Sequence, residues 1–137
     1  MIGYQQLDEA IPKADFVVLA LPLTPQTRQI IDIRRLGLFR PDASLINVSR
    51  GQLIDEAALI KALRDGRLRG AALDVFQEEP LPRRSKLWKL PQVLITPHTA
   101  FLSHKTWERH YDVFAGNLKR YLAGEPLEGV VDKKRGY

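Results

Sequence analysis

The amino-acid sequence predicts an α/β protein with a partial, doubly wound parallel sheet and one long C-terminal helix. Four short apolar runs of strand length are separated by polar or helix-forming segments. Continuous apolar runs of this length are typical of parallel strands that are covered on both faces. The last third of the chain instead repeats its apolar residues at helical spacing.

Each predicted strand ends at a proline or at a polar residue. The first strand covers residues 15–21 and stops before Pro22, and the second covers residues 44–48. The third covers residues 70–74 and the fourth residues 93–96. Because these runs alternate with helical segments, the sequence predicts right-handed strand, helix, strand units and therefore a parallel sheet.

The helices are predicted from their end signals. Thr24, with proline after it, predicts a short helix over residues 24–31, and a second short helix follows over 34–39. Asp55 can cap a helix that Gly66 ends.

Apolar residues at helical spacing predict the long C-terminal helix over residues 103–123. Gly124 offers a stop, and we expect the tail after it to lie extended.

Composition limits the function classes. A chain of 137 residues accommodates one domain, and no apolar run approaches the roughly 18 residues of a membrane span. The chain contains no cysteine, and its three histidines lack the spacing of zinc ligands. Its net charge is +5, but the basic residues are scattered along the sequence. We therefore expect a cytoplasmic protein with no metal, nucleic-acid or membrane site.

Polar and charged residues follow the predicted strands at the carboxyl edge of the sheet, where ligands of open parallel sheets bind. Arg50 follows the second strand, Asp74 ends the third with Glu79 just beyond, and His98 follows the fourth. Each residue alone has an ordinary surface or turn explanation. Their convergence on one edge predicts a site.

These side chains suit the reduction of a carbonyl group next to a carboxylate. The planar guanidinium of Arg50 can bind a carboxylate and the neighbouring carbonyl oxygen together. The imidazole of His98 can donate a proton to the oxygen, and Glu79 can orient that ring and favour its charged form.

Four segments resemble the D-2-hydroxyacid dehydrogenases, which include phosphoglycerate dehydrogenases and glyoxylate/hydroxypyruvate reductases. Residues 14–28 are similar to the family's strand and cofactor loop, and residues 45–55 to its arginine motif. Residues 71–80 are similar to its aspartate and glutamate motif, and residues 96–100 to its histidine motif. The resemblance implies a Rossmann-like fold and a small 2-oxo acid such as glyoxylate or hydroxypyruvate as substrate.

The resemblance also implies roles for individual residues. Arg50 is the substrate-binding arginine, Glu79 the partner carboxylate and His98 the acid/base. The positions that it assigns to an NAD or NADP site are Leu21, Pro22, Val48, Ser49, Asp74, Thr99 and Ala100.

The chain departs from the family at the cofactor phosphates. Its nine glycines have no Gly-x-Gly-x-x-Gly spacing, which binds the pyrophosphate in this fold. We interpret residues 1–97 as the C-terminal half of an NAD(P)-binding domain and 98–137 as a returning helix and tail that join the substrate domain. We expect a homodimer, and little turnover from this chain alone because the pyrophosphate turn is missing.

Two other functions remain open at the sequence level. The chain can belong to a catalytically silent, dehydrogenase-like binding or scaffold protein, which turnover by a longer chain would exclude. It can also be a truncated domain without its own function. Exposed apolar surface would then cause aggregation, which light scattering distinguishes from a defined dimer.

Overall fold

A computed structural model of the chain describes residues 6–135 and contains a four-stranded parallel sheet. The strands are β1 (Phe16–Leu19), β2 (Ser44–Asn47), β3 (Gly70–Leu73) and β4 (Val93–Ile95). They are neighbours in sequence order, and each neighbouring pair is parallel. The predicted α/β fold class with a parallel sheet is therefore confirmed.

Four α-helices accompany the sheet in the described part of the chain. They are α1 (Leu7–Ala10), α2 (Ile33–Leu36), α3 (Glu56–Arg64) and α4 (Thr106–Ala123). Three short 3-10 turns lie at Ile11–Lys13, Gly51–Leu53 and Lys86–Lys89. No helix among residues 6–135 is both long and apolar enough to cross a membrane.

The two faces of the sheet differ in burial. One face contributes Leu19, Leu45 and Leu73, at most 3% exposed, to the apolar core that also contains residues of α2 and α3. On the other face Phe16 and Val18 are 58% and 55% exposed. The prediction that the first strand is covered on both faces is wrong, because the described helices that join consecutive strands contribute to a single core.

The predicted helix over residues 24–31 does not form. The side chains of Thr24 and Thr27 instead bond to backbone groups of this segment, and Thr27 Oγ1 also donates to the carbonyl of Pro22 at 2.7 Å. Gln29 adopts a φ of 50°, in the left-handed region, and Ile31 pairs with the segment before α3. These local hydroxyl bonds and the long-range pairing compete with helix formation.

The helix capped by Asp55 forms as predicted. The Asp55 carboxylate accepts a hydrogen bond from the Ala58 amide at 3.0 Å, and α3 ends just before Gly66, whose φ is 66°. The second predicted helix is shorter than expected, because Asp32 caps it and Gly37 ends it.

The chain divides into two compact units, Met1–His98 and Thr99–Tyr137. The second unit contains α4, the predicted long helix, which ends at Gly124 in the left-handed conformation with a φ of 70°.

Candidate active site

Hydrogen bonds continue the parallel sheet beyond the carboxyl ends of its strands. The Asp74 amide donates to the carbonyl of Asn47 at 3.0 Å, and the His98 amide donates to the carbonyl of Asp74 at 2.8 Å. Two of the residues that the sequence singled out are thus held on one hydrogen-bonded edge.

Asn47 shapes the turn that presents Arg50. Its side chain is fully buried, accepts from the Ser49 amide at 3.1 Å and donates to the Arg50 carbonyl at 2.8 Å. Both ends of the amide are therefore satisfied within the turn, which is the usual condition for burying such a group. The Arg50 guanidinium donates to the carbonyl of Ser49 at 2.7 Å. Sequence reasoning missed Asn47, although a polar residue inside an apolar strand signals a buried hydrogen-bonding role.

Gly51 allows the arginine turn to lie against the segment after β3. A Cβ atom at Gly51 would lie 1.9 Å from the carbonyl carbon of Phe76 and 2.5 Å from the amide nitrogen of Gln77. Only glycine permits this backbone approach. Because Arg50 directly precedes Gly51, this contact places Arg50 next to the segment after β3, which continues to Glu79.

Glu79 and His98 form a direct pair. His98 Nδ1 lies 2.8 Å from Glu79 Oε2, and the other carboxylate oxygen accepts from the Phe76 amide at 2.9 Å. Partial burial tends to raise the pKa of Glu79, but the Phe76 amide, His98 and the charge of Arg50 outweigh it and lower the pKa. Glu79 is thus a carboxylate at neutral pH and can hold the imidazole in one orientation.

The backbone of His98 is in an uncommon conformation. Its φ of 56° lies in the left-handed region, which non-glycine residues rarely adopt. The bond from its amide to Asp74 and the bond from its ring to Glu79 hold it there. Such residues are concentrated at functional sites, where the surrounding structure fixes them.

Asp74 is buried at the end of β3. It is 4% exposed, and its Oδ1 accepts a hydrogen bond from the Thr96 hydroxyl at 2.5 Å. Thr96 was not singled out from the sequence. Its position two residues before His98, at the end of the strand next to β3, could have indicated a contact with Asp74.

The remaining predicted cofactor residues fall into two groups. Leu21, Pro22, Val48 and Ser49 lie on the turns after β1 and β2, where the Ser49 hydroxyl donates to the Leu21 carbonyl. Thr99 and Ala100 belong to the second unit.

The residues present fit one end of a nicotinamide cofactor. The carboxylate of Asp74, at the carboxyl edge, is an acceptor suited to the amide of a nicotinamide ring. The pyrophosphate end has no counterpart in the glycine spacing of the sequence. Asp74 and the turns after β1 and β2 are the residues that could hold the nicotinamide end.

The arrangement supports anion binding and proton transfer. A guanidinium, a carboxylate and an imidazole share one edge, and the carboxylate orients the imidazole. No group of three metal-ligating side chains occurs among residues 6–135. The guanidinium and the carboxylate-oriented imidazole support acid/base chemistry on a bound anion.

Comparison with known proteins gives a consistent family. Residues 1–100 match the family described as D-isomer specific 2-hydroxyacid dehydrogenase, NAD binding domain. The chain is 40% identical over 131 residues to a glyoxylate reductase of Pyrococcus furiosus, covering 96% of the chain and 39% of that protein. It is 39% identical over 135 residues to glyoxylate/hydroxypyruvate reductase A of Escherichia fergusonii, covering 98% of the chain and 43% of that protein.

A solved structure is also similar. The crystal structure of a D-isomer specific 2-hydroxyacid dehydrogenase from Xanthobacter autotrophicus, in complex with NADPH and MES, matches with a TM-score of 0.90 and 43% identity. The match covers 98% of this chain and 55% of that one. The chain thus spans about two fifths of the length of these two curated relatives and about half of this solved chain.

Proposed function

This chain belongs to the D-isomer-specific 2-hydroxyacid dehydrogenase family, and we propose that it supplies the acid/base half of an NAD(P)-dependent reductase of small 2-oxo acids. Glyoxylate and hydroxypyruvate are the proposed substrates, because relatives carry the names glyoxylate reductase and glyoxylate/hydroxypyruvate reductase. Residues 1–97 are the proposed C-terminal half of the cofactor-binding domain. Residues 98–137 are the proposed connection to a substrate domain.

The observation that carries the proposal is the pair formed by His98 and Glu79. The carboxylate binds Nδ1 at 2.8 Å and so leaves Nε2 as the nitrogen that can exchange a proton with a substrate. The lowered pKa of Glu79 keeps a negative charge beside the ring. An imidazolium is the form that can protonate the substrate oxygen during reduction.

Arg50 is the proposed substrate anchor. Its side chain lies on the turn after β2 and is near enough for its charge to lower the pKa of Glu79. Two parallel N–H donors of a guanidinium match a carboxylate and the adjacent carbonyl oxygen of a 2-oxo acid. The same cation stabilises negative charge that develops on that oxygen.

Asp74 is the proposed contact to the carboxamide of NAD or NADP. The other proposed cofactor residues of this sheet edge lie on the turns after β1 and β2 and are Leu21, Pro22, Val48 and Ser49. Thr99 and Ala100, next in the chain after His98, are proposed to border the nicotinamide. When bound, the reduced cofactor supplies the hydride. Because the pyrophosphate turn is missing from the sequence, we expect weak cofactor binding and little turnover by these 137 residues alone.

Oligomeric state and location are part of the proposal. A homodimer is consistent with the apolar side chains exposed on one sheet face, including Phe16 and Val18. Light scattering over a range of protein concentrations tests for a defined dimer. A cytoplasmic location is proposed from the family's small-molecule substrates, and fractionation of cells that express the gene tests it.

A chimera tests the proposed catalytic residues. This chain replaces the homologous 135-residue stretch of the Escherichia fergusonii reductase, to which it is 39% identical. We expect NADH or NADPH oxidation with glyoxylate or hydroxypyruvate. Arg50→Ala should reduce kcat/KM by about 10²–10³-fold, and His98→Ala by about 10²–10⁴-fold.

Arg64→Ala is the matched control, because Arg64 is an exposed residue at the end of α3 and should leave kcat/KM unchanged. Circular dichroism and the fluorescence of added NADH or NADPH establish that each chimera folds and binds cofactor. A folded chimera that binds NADH or NADPH without turnover of either would refute the proposed catalysis and favour a binding or scaffold role. Full activity of the Arg50→Ala chimera would refute the role of Arg50.

A further inference from the structure

An apolar cavity of about 460 Å³ opens beside the pair of Glu79 and His98. Its volume lies within the range of roughly 300–1,000 Å³ that is common for small-molecule sites. Three polar residues reach it, Glu79, His98 and Thr96. The apolar residues that line it are Phe76, Pro80, Leu81, Trp88, Ile95 and Pro97, and we refer to it as the Trp88 cavity.

The wall formed by Trp88 is fixed by its own loop. The indole N–H donates to the carbonyl of Pro82 at 3.0 Å, and the Ser85 amide donates to the same carbonyl at 2.9 Å. The neighbouring Leu87 is 1% exposed and anchors the 3-10 turn in the core. Trp88 itself is 52% exposed and faces the cavity as a preformed apolar surface.

The proposed function leaves one part of the substrate without a partner. The reacting carbon of a 2-oxo acid is bonded to the keto oxygen, the carboxylate group and the side chain. His98 takes the oxygen and Arg50 the carboxylate, and Arg50 does not line the cavity. The side chain is the remaining substituent, and the Trp88 cavity is a mainly apolar space beside the acid/base whose lining includes no arginine or lysine.

We propose that the Trp88 cavity binds the substrate side chain, so that this site binds 2-oxo acids with branched or aromatic apolar side chains more tightly than pyruvate. The inference rests on the proposed function, because it places the oxygen at His98 and the carboxylate at Arg50. Each buried methylene strengthens binding by about fourfold. Incomplete desolvation of a half-open cavity reduces that gain, and we expect 4-methyl-2-oxopentanoate to bind about tenfold more tightly than pyruvate.

Two-dimensional NMR of the 137-residue chain tests the proposal through its two tryptophans. The Trp88 indole N–H reports on the cavity, and the indole of Trp107, on α4, is the internal control. We expect 4-methyl-2-oxopentanoate to shift the Trp88 signal with a Kd on the order of millimolar and to leave the Trp107 signal in place. Pyruvate should bind about tenfold more weakly.

Leu81→Phe adds bulk to the cavity wall and should remove the preference for the larger acid without weakening pyruvate. Leu38→Phe is the matched control, since Leu38 is also partly buried against the core but does not line the cavity. If Leu81→Phe fails to fold, Leu81→Ala should reduce the preference by about fourfold or more, because it removes apolar contact.

Equal affinity for the two acids would overturn the inference, and so would a Trp88 signal that does not move. Binding of 3-methylbutan-1-ol as tight as that of 4-methyl-2-oxopentanoate would also overturn it, since the site would then ignore the acid group. The chimera separates these failures from failure of the proposed function, because it measures turnover of glyoxylate, which has no side chain to place.

Discussion

Replacing Gly51 by alanine should destabilise the protein through a backbone clash. The added Cβ would lie 1.9 Å from the Phe76 carbonyl carbon and 2.1 Å from its oxygen, so the neighbours that must move are backbone atoms. Reaching an ordinary contact of 3.4 Å requires a displacement of 1.5 Å, the difference between 3.4 and 1.9. The Phe76 amide also donates to Glu79, so the same displacement disturbs the proposed acid/base pair.

The cost has two parts. Overpacking of a close-packed interior costs about 1–3 kcal/mol. Loss of the bond from the Phe76 amide to a charged carboxylate adds about 1.5–3 kcal/mol. We therefore expect Gly51→Ala to lower the free energy of unfolding by about 3–5 kcal/mol.

Urea unfolding followed by tryptophan fluorescence measures this difference. With a slope of about 1–3 kcal/mol per molar urea, the midpoint should fall by one molar or more. Gly116→Ala is the control, because an added Cβ there meets no atom within 4 Å beyond its chain neighbours and the adjacent helix backbone, and helix propensity should stabilise α4 by about 0.5–1 kcal/mol. A Gly51→Ala protein within about 0.5 kcal/mol of the parent would refute the steric reasoning.

Two further substitutions test individual side-chain contacts. Thr96→Val should destabilise the chain by about 1–3 kcal/mol, because it removes the hydroxyl that donates to the buried Asp74 carboxylate at 2.5 Å. Thr96→Ser keeps this donor and is the control. Equal urea midpoints for the two variants would contradict the reasoning. Asp8 accepts hydrogen bonds from Arg34 and Arg35, which lower its pKa from 3.8 to about 2. Because the folded-state pKa is depressed, Asp8 contributes stability above pH 3.8 and loses it as the pH falls toward about 2. Thermal unfolding should therefore give Asp8→Asn a lower Tm at neutral pH and a difference that disappears near pH 2, whereas a pH-independent difference would contradict this.

Local signals in the sequence predicted most of the sheet and two of the helices. Apolar runs mark the four strands because the strands of a parallel sheet contribute apolar side chains to the core. Asp55 marks the start of α3, since its carboxylate bonds to a nearby amide of the same segment. The helix predicted from Thr24 failed because residues distant in sequence, around Gln52 and Leu53, bind the backbone of that segment.

The sequence named Arg50, Glu79 and His98 as candidates for the site but did not give the geometry of their contacts. Arg50, Glu79 and His98 follow strands whose carboxyl ends share one edge, so topology alone brings their segments together. Their roles remain predictions. The contacts of Asn47 and Thr96, and the cavity beside Trp88, depend on loops whose paths no local pattern specifies.

By itself, then, the sequence determined the fold class, the positions of the strands along the chain and the residue types at the carboxyl edge, because these follow from short-range patterns and the parallel connection rule. Only the tertiary structure decided that Glu79 binds His98 Nδ1 and that Gly51 lies against the backbone of Phe76. It also decided which face of the sheet is buried. These features depend on the packing of segments far apart in the chain, where distances of a few tenths of an ångström decide between a hydrogen bond and a clash.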